Sequence, residues 1–125
     1  MKRTTALTIL SNRLIVDTCK QAEIVWDIVF SCESIGIYKP RPQAYIQAAH
    51  WLQLEPSECL MVAAHGVDLS AAARTGYKTA FVRRPTEWGP LGEPELMKSE
   101  TKFDYVAEDF HDLADQLGCN PTLRQ

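Results

Sequence analysis

Apolar residues along this chain fall into short blocks of two alternating kinds. Some blocks are short, apolar or β-rich and read as strands, and Cys59 to Ala64 lacks alternation, as in a strand covered on both faces. The strand blocks are Thr5 to Leu10, Trp26 to Ser31, Cys59 to Ala64, Thr79 to Val82 and Phe103 to Ala107. Between them apolar residues recur at helical spacing. Leu14, Ile15, Cys19 and Ala22 predict a helix from Leu14 to Ile24. Tyr45, Ala48, Ala49 and Leu52 predict one from Arg41 to Leu54, starting where Pro40 and Pro42 are tolerated. Asp68 to Thr75 reads as a small-residue helix stopped by Gly76. Asp109 to Leu117 reads as a helix with Phe110, Leu113, Ala114 and Leu117 inward and Gly118 as its stop. Pro56-Ser57-Glu58 and most of Pro85 to Glu100 read as loop.

Strands and helices alternating at this spacing imply an α/β fold. The expected architecture is a three-layer α/β/α Rossmann-like sheet of mostly parallel strands. A length of 125 residues fits one domain or a piece of one. In such sheets, sites form at the carboxyl ends of strands. Ser11-Asn12 and His65 through Asp68 fall at such ends, and Lys39 opens a helix after a strand. A cation, a carboxylate and a hydroxyl–amide pair are thus expected at one sheet edge.

Composition excludes more than it assigns. A net charge of −3 leaves no basic footprint for nucleic acid. No apolar run reaches the roughly 20 residues of a membrane span. Met1-Lys2-Arg3 before a short apolar run superficially resembles a signal peptide, but Ser11-Asn12-Arg13 interrupts it at once, so a cytoplasmic protein is expected. The cysteines Cys19, Cys32, Cys59 and Cys119 show no CxxC spacing, which argues against zinc. Cys32 and Cys59 sit in apolar segments and read as inert core thiols of a reducing compartment. His50 and His111 fall in helices and read as structural, and Arg83-Arg84 reads as an exposed pair. Leu14-Ile15-Val16-Asp17-Thr18 mimics a strand ending in a nucleophilic aspartate, but its continuation has helical spacing.

Five segments, in order, resemble the haloacid dehalogenase superfamily. They are Leu10-Ser11-Asn12, Tyr38-Lys39-Pro40 with Tyr45, Val62-Ala63-Ala64-His65-Gly66-Val67-Asp68, Gly76 through Val82, and Arg84-Pro85-Thr86-Glu87-Trp88-Gly89-Pro90. The last segment and the Ala-Ala-His point to the type II 2-haloacid dehalogenase branch. The resemblance runs from about Thr5 to Cys119. It implies hydrolytic removal of halide from a 2-haloalkanoic acid. In that chemistry an aspartate attacks the halogen-bearing carbon and water hydrolyses the resulting ester. It implies that Ser11 and Asn12 bind the substrate carboxylate or steady the nucleophile, and that Lys39 keeps the nucleophile ionised. It implies that Asp68 orients Lys39 and the hydrolytic water, and that Tyr45 and His65 line the halide and water region. It assigns no role to Trp88. Taken alone, Asp68 is equally the N-cap of the helix at Leu69.

The chain departs from that family in three ways. It begins at the family's second motif, so residues 1–125 are expected to be a partial core domain without the nucleophile strand and the cap. Arg13 stands where the family usually has Gly. Ala64 stands where the superfamily's phosphatases carry a second acid for magnesium, so no metal and no cofactor are expected. Without the missing strand, the Thr5 and Cys59 strands are expected to pair directly, or the chain to form a homo-oligomer or take a partner that supplies the strand. Three functions compete: a 2-haloacid dehalogenase-like hydrolase inactive as this chain, a non-catalytic remnant or binding half-domain, and a phosphatase of the same superfamily.

Overall fold

A computed structural model describes residues 2–92 and 102–119. The chain folds as two compact units, Met1–Glu55 and Pro56–Gln125. The part of the expected late loop at 93–101 lies outside the described residues.

The first unit is a parallel pair, β1 (Thr5–Thr8) and β2 (Ile28–Ser31), joined through α1 (Asn12–Gln21). Helix α1 starts at Asn12, two residues earlier than its apolar stripe suggests. The cause is local: the Ser11 hydroxyl accepts the Leu14 N–H at 3.2 Å and caps the first turn. Of that stripe only Ile15 is buried, while Leu14 and Val16 on either side of it are about half exposed. A short α2 (Cys32–Ile35), absent from the sequence reading, follows β2 directly. Ser31 makes that junction: its hydroxyl donates to the Leu10 carbonyl at 2.6 Å and accepts the Glu33 N–H at 3.1 Å. Helix α3 (Pro42–Trp51) buries Ala44, Tyr45, Ala48 and Ala49. Phe30 tilts against Trp51 with ring centroids 5.4 Å apart.

The second unit is a three-stranded parallel sheet in the order β3 (Leu60–Ala63), β4 (Lys78–Val82), β5 (Tyr105–Ala107). A 3₁₀ turn at Pro56–Glu58 leads into β3, α4 (Gly66–Arg74) connects β3 to β4, and α5 (Phe110–Gln116) follows β5. Strand β4 has a neighbour on each side, and Thr79, Ala80, Phe81 and Val82 are all buried. With Ala107 and Leu113, Ala80 and Val82 form the core of this sheet. Helix α4 ends where Gly76 adopts φ +104°, a conformation that an L side chain rarely takes. Phe81 stacks on Phe103 at 5.5 Å, just outside β5.

The fold is therefore Rossmann-like α/β with parallel strands, but its strands form two sheets rather than one. Within the first unit β1 pairs with β2, and within the second β3 pairs with β4. Phe110, expected inward, is 66% exposed because it is the first residue after the Asp109 cap, one turn before the buried Leu113. Among the described residues, no helix is long and apolar enough to cross a membrane.

Candidate functional site

In the first unit, Ser11 and Asn12 stand just past the carboxyl end of β1, as expected, and meet the residues just past β2. The Asn12 backbone N–H donates to Glu33 Oε2 at 2.7 Å, and its side-chain Nδ2 lies 3.3 Å from the same oxygen. Nδ2 also donates to Ser34 Oγ at 2.8 Å, and that hydroxyl returns a bond to Asn12 Oδ1 at 3.1 Å. The donors expected to meet a substrate anion thus hold an internal carboxylate. Ser11 spends its hydroxyl as an acceptor on the helix cap.

Lys39 does not open helix α3. It lies in the turn where the Arg41 N–H donates to the Tyr38 carbonyl at 3.1 Å, with a cis Lys39–Pro40 peptide. Arg41 is the N-cap and Pro42 the first helical residue, where a missing N–H costs nothing. Tyr45, one turn into α3, is fully buried. Arg13 and Asp17 pair with each other along exposed α1 at 3.7 Å, which confirms Asp17 as a helix surface residue.

In the second unit, the chain leaves β3 in extended form through His65 and turns into α4 at Gly66. His65, not Asp68, is the N-cap, and its backbone carbonyl accepts the first helical N–H, that of Leu69, at 3.3 Å. Asp68 is the third residue of α4. There a carboxylate faces the positive end of the helix dipole. None of Lys39, Tyr45 and Asp68 is without an interacting partner.

His65 has two neighbours that pattern reading left without a role. Its Nε2 lies 2.9 Å from Glu87 Oε2, and its ring stacks on Trp88 with centroids 6.3 Å apart and planes at 20°. Both come from the segment after β4, where successive turns run from the Arg84 carbonyl to the Glu87 N–H (3.1 Å) and from Thr86 to Gly89 (3.0 Å). Gly89, at φ +86°, lets the chain leave the second turn in a left-handed conformation. Arg84 Nη1 stands 3.7 Å from the other Glu87 oxygen. Arg83 pairs instead with Glu108 at 3.1 Å, so each arginine of the pair has its own acid. The sequence signal for this cluster was present: an acid and a tryptophan held between Pro85 and Pro90.

Cys19, Cys32, Cys59 and Cys119 form no disulfide among the described residues, and Cys32 and Cys59 are buried. Burial pushes the Cys59 thiol up from its ordinary value, against a hydrogen bond with Tyr77 that lowers it.

The HAD-hydrolase-like family model matches residues 37–113. An L-2-haloacid dehalogenase of known structure is 39% identical, with a TM-score of 0.84, over 90% of this chain and 49% of its own. A defluorinating L-2-haloacid dehalogenase is 42% identical, with a TM-score of 0.81, over 86% of this chain and 44% of its own. The L-2-haloacid dehalogenase from Xanthobacter autotrophicus, whose structure holds chloropropionic acid covalently bound, is 20% identical. It shares the fold at a TM-score of 0.78, over 91% of this chain and 54% of its own. No curated protein matches the chain in sequence. The chain spans about half the length of the dehalogenases it matches. With the family model covering residues 37–113 of 125, the chain belongs to the haloacid dehalogenase-like hydrolase family.

Proposed function

We propose that this chain carries the lysine and second-carboxylate part of a hydrolase that removes halide from small 2-haloalkanoic acids. The observation that supports it is 39% and 42% identity to two L-2-haloacid dehalogenases over nearly the whole chain. The segment that matches the family model, residues 37–113, holds Lys39, Tyr45, His65 and Asp68.

In the reaction this implies, a carboxylate displaces halide from the substrate carbon, and water then hydrolyses the ester and restores the carboxylate. Lys39 keeps the attacking carboxylate ionised through opposite charge. Asp68 orients Lys39 and the water. By the resemblance, Ser11 and Asn12 face the substrate carboxylate, which takes the Asn12 donors from Glu33, and Tyr45 and His65 line the halide and water region. Among the described residues, no strand delivers a free attacking aspartate: Asp17 pairs with Arg13 on α1, and Asp109 caps α5. These 125 residues alone are therefore proposed not to turn over. Ala64 leaves Asp68 without the second acid of a magnesium site, which disfavours phosphate-ester hydrolysis. Buried Cys32 and Cys59, held as thiols, fit a reducing compartment such as the cytoplasm.

The test grafts residues 37–113 into the corresponding segment of the 39%-identical dehalogenase and measures chloride release from 2-chloropropionate. The chimera is expected to release chloride, and Lys39→Ala or Asp68→Ala to slow it by about 10²-fold or more. The 125-residue chain alone is expected to release none. A folded chimera that spares 2-chloropropionate yet cleaves a phosphate ester with magnesium would overturn the reading. Release by the isolated chain, abolished by Lys39→Ala, would reopen Asp17 or Asp68 as the attacking group.

A further inference from the structure

His65 is held by more contacts than a loop histidine needs. Its Nε2 meets Glu87 at 2.9 Å, and the Glu87 side chain is only 13% exposed against 44% for His65. A carboxylate can only accept, so the proton on this contact belongs to Nε2. In the neutral ring that leaves Nδ1 as the acceptor. Arg84 Nη1, at 3.7 Å from the other Glu87 oxygen, adds a positive charge behind that carboxylate. Trp88 covers one face of the ring at a separation typical of stacked aromatics. Two turns closed by backbone hydrogen bonds carry Glu87 and Trp88 to this place. A solvated glutamate on a flexible loop would give none of these constraints.

We infer that Glu87 is a positioning residue for His65. With Trp88 stacked on the ring, it fixes Nε2 as donor and, in the neutral ring, leaves Nδ1 as acceptor, so that His65 orients a water molecule or a protonated group at the carboxyl end of β3. The chemistry served rests on the hydrolase reading above, whereas the geometry does not. A ring tied this way cannot rotate freely or exchange its two nitrogens. It therefore presents one acceptor in one direction, as pre-organised polar groups in hydrolytic sites do.

The test uses the 125-residue chain labelled with ¹⁵N-histidine and needs no turnover. His50 and His111 are exposed and serve as internal references. The His65 Nε2 proton is identified by its cross-peak to the Trp88 indole. It is expected to exchange with water about tenfold more slowly than the reference rings, as a hydrogen bond to a carboxylate would provide. Glu87→Ala is expected to abolish that protection and weaken the cross-peak. Glu87→Gln, which retains a carbonyl acceptor, is expected to restore most of it. The amides of Ala80 to Val82 report in every variant that β4 is intact. A wild-type His65 proton as fast as those of His50 and His111 would overturn the inference. So would protection that survives Glu87→Ala with β4 intact. Either failure leaves the dehalogenase reading standing, and a chimera without chloride release would sink that reading while leaving this contact in place.

Discussion

Two strand pairs, β1–β2 and β4–β5, begin with the same device, one step ahead of their first paired residues. In the first unit the register pairs Thr5 with Ile28, so Thr4 faces Asp27. The Thr4 N–H donates to Asp27 Oδ2 at 2.7 Å, and the Asp27 N–H donates to the Thr4 carbonyl at 2.9 Å. In the second unit Ala80 pairs with Tyr105, so Thr79 faces Asp104, and the Thr79 N–H donates to Asp104 Oδ2 at 2.8 Å. The geometry is alike and the surroundings are not. The Thr4 contact is exposed, whereas the Thr79 contact is part-buried: Asp104 is exposed, but Thr79 is 2% exposed because β4 lies between two strands. A hydrogen bond matters most where its donor has no water to turn to. The same aspartate should therefore be an ornament in one sheet and a structural requirement in the other.

The largest effect expected from this contrast is in the cores themselves. Phe81→Ala empties a fully buried site beside Phe103 and should cost about 3–5 kcal/mol in urea unfolding. The residue at the same register step in the first unit is Ala6, and Ala6→Gly should cost only about 0.5–1 kcal/mol. Comparable losses would break the contrast. Next come the two carboxylates. Asp104→Ala strands the buried Thr79 N–H and should cost about 1–3 kcal/mol, with faster exchange of that amide. Asp27→Ala should cost less than about 1 kcal/mol, since water replaces the carboxylate. Asp104→Asn keeps an acceptor and should recover most of the loss.

The smallest effect concerns Asp112, another exposed carboxylate on a backbone N–H. The Glu108 N–H at 2.9 Å and the Gln116 side chain hold its carboxyl below its ordinary value of 3.8. A depressed folded value stabilises the protein above the unfolded value, and that gain is lost as pH falls through the folded one. Asp112→Asn should be slightly less stable than wild type near pH 7, and the two unfolding curves should converge below about pH 4. A constant gap across that range would mean that the carboxylate charge contributes nothing.

The order of elements was legible because buried parallel strands form unbroken apolar blocks and because Gly76 and Gly118 end helices at positive φ. Pairing was not legible. Apolar blocks carry the period of a strand but not the identity of its neighbour. Helix starts moved by a few residues wherever a cap or a proline set them, as at Ser11 and Pro42. Lys39 and Asp68 stood out only through the ordered motifs around them. Glu87 did not stand out, because its contact with His65 spans 22 residues and a glutamate after a strand looks solvated. The proline-bounded Glu87-Trp88 pair was the available clue, since a tryptophan in a rigid turn needs a surface to lie on.

The Glu33 carboxylate on Asn12 changes what affinity at that helix start would mean. Any anion that takes the Asn12 N–H must first evict a tethered competitor already seated at 2.7 Å. Net attraction there is a difference between two carboxylates, each with its own desolvation cost. Selection at such a place would follow an anion's fit more than its charge.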